Sequence, residues 1–120
     1  MDATIWHNPR CSKSRGARQL LDDHGVDAHE VRYLVDAPDR AALEDVLRKL
    51  GTDDPAATIR SGEPRYGELG LAGADRDTLL DALAANPELI ERPIVIVGDR
   101  AVLARPAELL LDLLGERPAG

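Results

Sequence analysis

Cys11 is the only cysteine in a sequence of 120 residues, and Arg10, Lys13, Arg15 and Arg18 stand around it with no acid between Ala3 and Leu21. A thiol attacks as its thiolate, and neighbouring cations and the first turn of a helix both favour that form. The free N–H groups of such a turn can also hold an anion. Ser14 lies one helical turn beyond Cys11 and nearly on the same face, so its hydroxyl is expected to donate to the sulfur. Ser14 also fills the second position of a Cys-x-x-Cys motif; without that resolving thiol, a redox cycle must recruit an outside reductant. His7 precedes the loop, where it either tunes the thiol or serves as a structural histidine. The bland reading of Cys11, a packed small hydrophobe, conflicts with the charges at 10, 13 and 15. Three histidines and one cysteine without close ligand spacing predict no metal site.

The rest of the composition sets the frame for that thiol. At 120 residues and 13.0 kDa, one domain spanning 1–120 is expected, with 116–120 as a frayed tail. Hydrophobic residues at 43% and charged residues at 31% fit a folded globule rather than a disordered or membrane chain. The net charge of −7 argues against nucleic acid or an acidic membrane as partner, since either needs a continuous basic patch. The local positive field around Cys11 opposes the global charge and suits a small anion better than a polyanion. Met1-Asp2-Ala3-Thr4 has no basic segment followed by an apolar stretch, so a cytoplasmic location is expected, where thiols stay reduced.

Hydrophobic periodicity supplies the elements that must position the thiol. Thr4-Ile5-Trp6 reads as a strand stopped by Asn8-Pro9. From Ser12 the pattern turns helical, with Ala17, Leu20, Leu21 and His24 on one face and Arg15, Arg18 and Asp22 on the other, until Gly25. Ala28 to Tyr33 alternates as a second strand parallel to the first, which makes a βαβ opening. Asp39 is a candidate N-cap for a helix carrying Leu43, Val46, Leu47 and Leu50 before Gly51. Asp54-Pro55 starts a third helix ending near Arg60, and residues 61–64 read as a loop. A further helix carries Leu79, Leu80 and Leu83 as far as Asn86-Pro87. Ile94 to Val97, the turn Gly98-Asp99, and Ala101 to Leu103 predict an antiparallel hairpin. Pro106 then opens a last helix with Leu109, Leu110, Leu113 and Leu114 on its core side and Gly115 after it. The expected fold class is α/β: a thioredoxin-like, four-stranded mixed sheet flanked by helices, with a helical insertion between the βαβ and ββα halves.

The segment His7-Asn8-Pro9-Arg10-Cys11-Ser12-Lys13-Ser14-Arg15 resembles the catalytic segment of the glutaredoxin-coupled arsenate reductase family, above all its shorter, arsenate-reductase-like subgroup. The similarity continues through Arg60, through Glu63-Pro64-Arg65-Tyr66-Gly67-Glu68-Leu69-Gly70-Leu71, through Glu91-Arg92-Pro93-Ile94-Val95 and through Arg105-Pro106. It implies Cys11 as the nucleophile, and Arg60, Arg92 and Arg105 as the groups that bind an oxyanion and stabilise a thiol–arsenic intermediate. A guanidinium keeps its proton and donates paired hydrogen bonds to tetrahedral oxyanions, so these residue types suit that task. His7, Ser14 and Arg15 would support the site, and Pro93 would form a cis peptide facing the cysteine.

The implied activity is reduction of arsenate to arsenite. Glutathione or another low-molecular-weight thiol serves as co-substrate, glutaredoxin is the protein partner, no cofactor is bound, and a monomer is expected. Two other readings stand beside it. One is a redox-responsive regulator of the Spx type that binds RNA polymerase, although its usual switch is a Cys-x-x-Cys pair that Ser14 cannot complete. The other is a glutathione-linked thiol-transfer protein without arsenate activity.

Overall fold

A computed structural model of the protein describes residues 3–114. Four strands, β1 (Ala3–Trp6), β2 (Ala28–Val31), β3 (Ile94–Val97) and β4 (Arg100–Leu103), form one mixed sheet in the order β2-β1-β3-β4. β1 runs parallel to β2 and antiparallel to β3, and β3 pairs antiparallel with β4. This is the α/β, thioredoxin-like arrangement expected from the pattern.

The period of two along each strand divides the core between the two faces of this sheet. Ile5 and its register partner Val95 point to one face, where α1 (Ser12–Asp23) contributes Ala17 and Leu21, and Leu110 and Leu114 close the layer. Trp6 and its partner Ile94 point to the other, against α2 (Arg40–Leu50) and α4 (Arg76–Ala85). Asp39 caps α2 by accepting from the Ala42 N–H at 2.8 Å, and Gly51 ends it in the left-handed region at φ 83 that disfavours a Cβ. Gly98, at φ 61, makes the corresponding tight turn between β3 and β4.

Several expectations are corrected. β2 ends at Val31, and Tyr33 lies beyond it yet is only 1% exposed, within the core cluster that holds Trp6 and Ile94. The expected third helix is a single 3-10 turn, Pro55–Thr58, capped by Asp54. Residues 61–64 do not run on as loop, since Pro64 opens a short helix, α3 (Pro64–Glu68). Another 3-10 turn, Pro87–Leu89, follows α4. The last helix begins as a 3-10 turn, Ala107–Leu110, and continues as α5 (Leu111–Leu114). That tighter first turn rotates Leu109 outward to 40% exposure while Leu110 stays fully buried. Gly115 and the tail at 116–120 lie outside the described residues.

Ile5→Ala removes a side chain with no exposed surface from between α1 and β3, so it should lower the unfolding free energy by about 2–5 kcal/mol in urea denaturation. The Asp75 cap of α4 offers a pH-dependent companion. The Thr78 hydroxyl and N–H hold its carboxyl below the usual carboxylate value, so its stabilisation is complete above a pH of about 4 and fades as pH falls through the folded value. Asp75→Ala should therefore show a deficit at neutral pH that disappears in acid, smaller than that of Ile5→Ala.

Candidate active site

The site forms at one end of the sheet because three connections meet there. Trp6 pairs with Ile94, which sets the loop after β1 opposite Arg92-Pro93; Ile94 pairs with Leu103, which brings Ala104-Arg105 alongside. The Ala104 N–H donates to the Pro93 carbonyl at 2.9 Å and locks this junction. Arg92-Pro93 is a cis peptide, as is Arg105-Pro106. Arg60 arrives by another route: an isolated bridge joins Ile59 to Ile90, and the Arg60 N–H donates to the Leu89 carbonyl at 2.8 Å.

The cysteine loop is held by its own backbone. Cys11 is the extended N-cap of α1, half-buried, and its N–H donates to the Asn8 carbonyl at 2.9 Å. The Asn8 side chain accepts from the Arg10 N–H at 3.0 Å, and Arg15 Nη1 donates to the Pro9 carbonyl at 3.0 Å. Ser14 is fully buried, and its hydroxyl oxygen accepts from the Asn8 N–H at 3.2 Å. The Ser14 hydroxyl is thus a fastener of the loop; the contribution of this residue to the sulfur comes from its backbone N–H.

Burial raises the Cys11 thiol, but the N–H groups of Ser14 and Lys13, followed by the hydrogen bond and charge of Arg92, outweigh it and hold the thiol below its ordinary value. The local field therefore owes more to the helix start and to Arg92, 81 residues away in sequence, than to the side chains of Arg10, Lys13 and Arg15. The Arg92 side chain is 16% exposed, and its Nε and Nη1 are buried without a hydrogen-bond acceptor among the described residues. A buried guanidinium with two unused donors beside a thiolate has the hydrogen-bonding demand of an anion site.

The other expected residues are placed less uniformly. Arg105 Nη1 lies 2.7 Å from Glu91 Oε1, and Arg60 Nη1 lies 3.2 Å from Glu63 Oε2. His7 is 5% exposed, with Nε2 3.6 Å from Glu30 Oε1 and Nδ1 without a partner among the described residues. Burial holds its imidazole below the ordinary value, against the Glu30 carboxylate; Arg32, Arg18 and Arg15 add to the depression. His7 faces β2 and lines a concavity of about 380 Å³ with Asn8, Pro9, Arg10, Arg32, Leu34 and Val35.

Two residues were missed by sequence reasoning. Tyr33 is pushed up to about 12 by burial, with the Cys11 charge adding to the rise and with Arg92, Arg60 and a hydrogen bond to Asn8 opposing it. Its phenol is therefore a protonated donor within the field of all three groups. The available signal was its position just past a parallel strand, at the carboxyl end where sites of α/β sheets gather. Glu91 was quoted only as part of a motif, although an acid beside a candidate anion-binding arginine is itself informative.

A thioredoxin-like sheet carrying one lowered thiol at the turn from β1 into α1 defines a thiol protein of that fold. The sequence profile of the ArsC family matches residues 6–113, and the chain belongs to the ArsC family. It is 45% identical over 106 residues to an arsenate reductase of Neisseria meningitidis serogroup A, covering 87% of this chain and 91% of that protein. Among solved structures, the arsenate reductase from Vibrio cholerae superimposes with a TM-score of 0.91 at 38% identity, over 93% of this chain and 97% of that one. A putative arsenate reductase from Yersinia pestis gives a TM-score of 0.88 at 42% identity, over 92% and 99% of the two chains.

Titration of Cys11 alkylation by iodoacetamide should give a midpoint below that of free cysteine, and Arg92→Ala should move it upward by removing a hydrogen bond and a positive charge. A midpoint unchanged by the substitution would contradict the assigned cause.

Proposed function

We propose that this protein reduces arsenate to arsenite with Cys11 as nucleophile, using glutathione, or another small thiol, and glutaredoxin as the source of electrons. The observation that carries the reading is the pairing of a lowered thiol with the buried, under-satisfied Arg92 guanidinium. Membership of a family whose relatives include named arsenate reductases supports the choice of oxyanion.

The chemistry proceeds in balanced steps. The Cys11 thiolate attacks arsenic(V), an S–As bond forms, and one arsenic-bound oxygen leaves as water after taking up a proton. Arg92 stabilises the charge on the remaining oxygens, and Arg105 and Arg60 join it by exchanging their carboxylate partners for the substrate. Glutathione then replaces a second arsenic hydroxyl, again with loss of water and with no change in oxidation state. The glutaredoxin thiolate attacks the glutathione sulfur, a disulfide forms between them, and the S–As bonding pair stays on arsenic, which becomes trivalent. Hydrolysis of the last S–As bond frees arsenite and Cys11.

The remaining residues act through position in this reading. Ser14 and Arg15 fix the loop, the buried Pro93 carries the cis peptide that follows Arg92, and His7, held neutral, orders the end of β1. No bound cofactor enters any step. A monomer in the cytoplasm, where small thiols are abundant and reduced, fits the scheme; among the described residues no helix is long and apolar enough to cross a membrane.

Coupled NADPH oxidation with arsenate, glutathione and glutaredoxin should be abolished by Cys11→Ser. Arg92→Ala should lower kcat/KM by roughly 10²–10³-fold, and Arg92→Lys should not restore it, since lysine lacks the planar fork. Arg60→Ala and Arg105→Ala should each cost less. Activity retained in Cys11→Ser would sink the reading; a protein inert to arsenate that reduces glutathione mixed disulfides would be a thiol-transfer protein instead.

A further inference from the structure

Glu91 is an acceptor-only side chain set among the cations of a proposed anion site. Its Oε1 lies 2.7 Å from Arg105 Nη1 and 3.8 Å from Arg92 Nη1, and it accepts from the Arg92 N–H at 3.4 Å. The backbone fixes this placement, because the Glu91 N–H donates to the Thr58 carbonyl at 2.6 Å. The side chain is 23% exposed, so solvent screens it only in part. A carboxylate there opposes the binding of any anion that offers it only lone pairs. An anion that carries its own acidic hydrogen turns the same oxygen into a partner: the O–H donates to the carboxylate while the other oxygens take the arginine donors.

From this arrangement we infer that Glu91 sets the oxyanion specificity of the site, admitting tetrahedral anions that keep a hydroxyl at neutral pH and rejecting fully ionised ones. Arsenate and phosphate belong to the first class; sulfate belongs to the second. This inference rests on the oxyanion reading of the same site. The residue reads the protonation state of the ligand and does not separate arsenate from phosphate. That distinction falls to the redox step, since thiols reduce arsenic(V) to arsenic(III) and do not reduce phosphorus(V). Glu91 thus acts on sulfate, an oxyanion of similar shape that keeps no acidic hydrogen at neutral pH.

The test uses protection of Cys11 from iodoacetamide at pH 7, with phosphate and sulfate as non-reducible probes. In the native protein, phosphate should protect at a concentration at least roughly tenfold below that of sulfate, the scale of one charge-assisted hydrogen bond against an unpaired acceptor. Glu91→Gln keeps a carbonyl to accept from Arg105 but removes the charge, so sulfate protection should improve roughly tenfold while phosphate protection changes little. Glu91→Asp, with its charge retained, should keep the preference for phosphate. Matching thermal midpoints of the three proteins would exclude a folding defect. Equal protection by the two anions in the native protein, or equal tightening of both in Glu91→Gln, would overturn the specificity role and leave the oxyanion site standing, with Glu91 a simple competitor for the arginines. Absence of protection by either anion would overturn both.

Discussion

The turn from β1 into α1 has to be completed in the five residues His7 to Cys11, and the chemistry of the protein depends on how that turn is held. Ser14 accepts from Asn8, Asn8 accepts from Arg10 and from Cys11, and Arg15 reaches back to Pro9. Together they leave the N–H groups of Lys13 and Ser14, unpaired within α1 as in any first helical turn, to point at the sulfur. A helix beginning one residue later would shift those donors by about 100° around its axis and lose the sulfur. The buried faces of Ala17 and Leu21 fix the rotation of α1 against Ile5 and Val95, so core packing and thiol electrostatics are set by one rigid placement.

A second constraint is electrostatic. The protein carries −7 overall, yet its site gathers arginines at one end of the sheet. Arg105 and Arg60 remain affordable there because Glu91 and Glu63 lie against them, in positions exposed enough for each guanidinium to change partner. Arg92 differs. It is the most buried of the three, its pairing with Glu91 is looser at 3.8 Å, and two of its nitrogens have no acceptor among the described residues. Such a group costs free energy unless an anion arrives, on the order of 1–3 kcal/mol for each unsatisfied donor. The charge of the thiolate offsets part of that cost, so the share of the Cys11 lowering that Arg92 supplies, after the α1 N–H groups, is tied to the burial of that arginine.

Much of this was legible because it is local. The lone cysteine in a basic run, the βαβ pattern, the Asp39 cap and the Gly98 hairpin are all written in spacings of a few residues, and each was found where expected. Long-range geometry was not legible in the same way. The source of the field at Cys11 is a case in point: the first turn of the helix contributes as expected, but beside it stands the distant Arg92 rather than the nearby cations. The Ser14 hydroxyl obeyed the helical spacing but had a closer partner in Asn8, since a buried oxygen bonds to whatever donor the loop brings to it. Tyr33 fitted the alternation of the second strand and so read as a core residue, and Leu109 fitted a helical stripe that a 3-10 start displaces. Even the resemblance to a family could name Arg60, Arg92 and Arg105 without revealing that Glu63 lies against the first and Glu91 between the other two.

The position of Ser14 also bears on why the protein carries one thiol. In the usual Cys-x-x-Cys arrangement the second cysteine resolves the first, and the loop keeps enough freedom for a disulfide to close. Here the second position is fully buried and its oxygen is committed to Asn8. The residue that would have completed the redox pair instead tightens the loop and holds the helix start against the sulfur. The loop thereby gains a thiol whose N–H donors are fixed in place, at the loss of any means to release a covalent adduct by its own second thiol. In the proposed reaction that loss is what makes small thiol and glutaredoxin necessary, because the S–As bond can be relieved only from outside. In that proposed reaction, rigidity of the nucleophile and dependence on an external reductant both follow from the same serine.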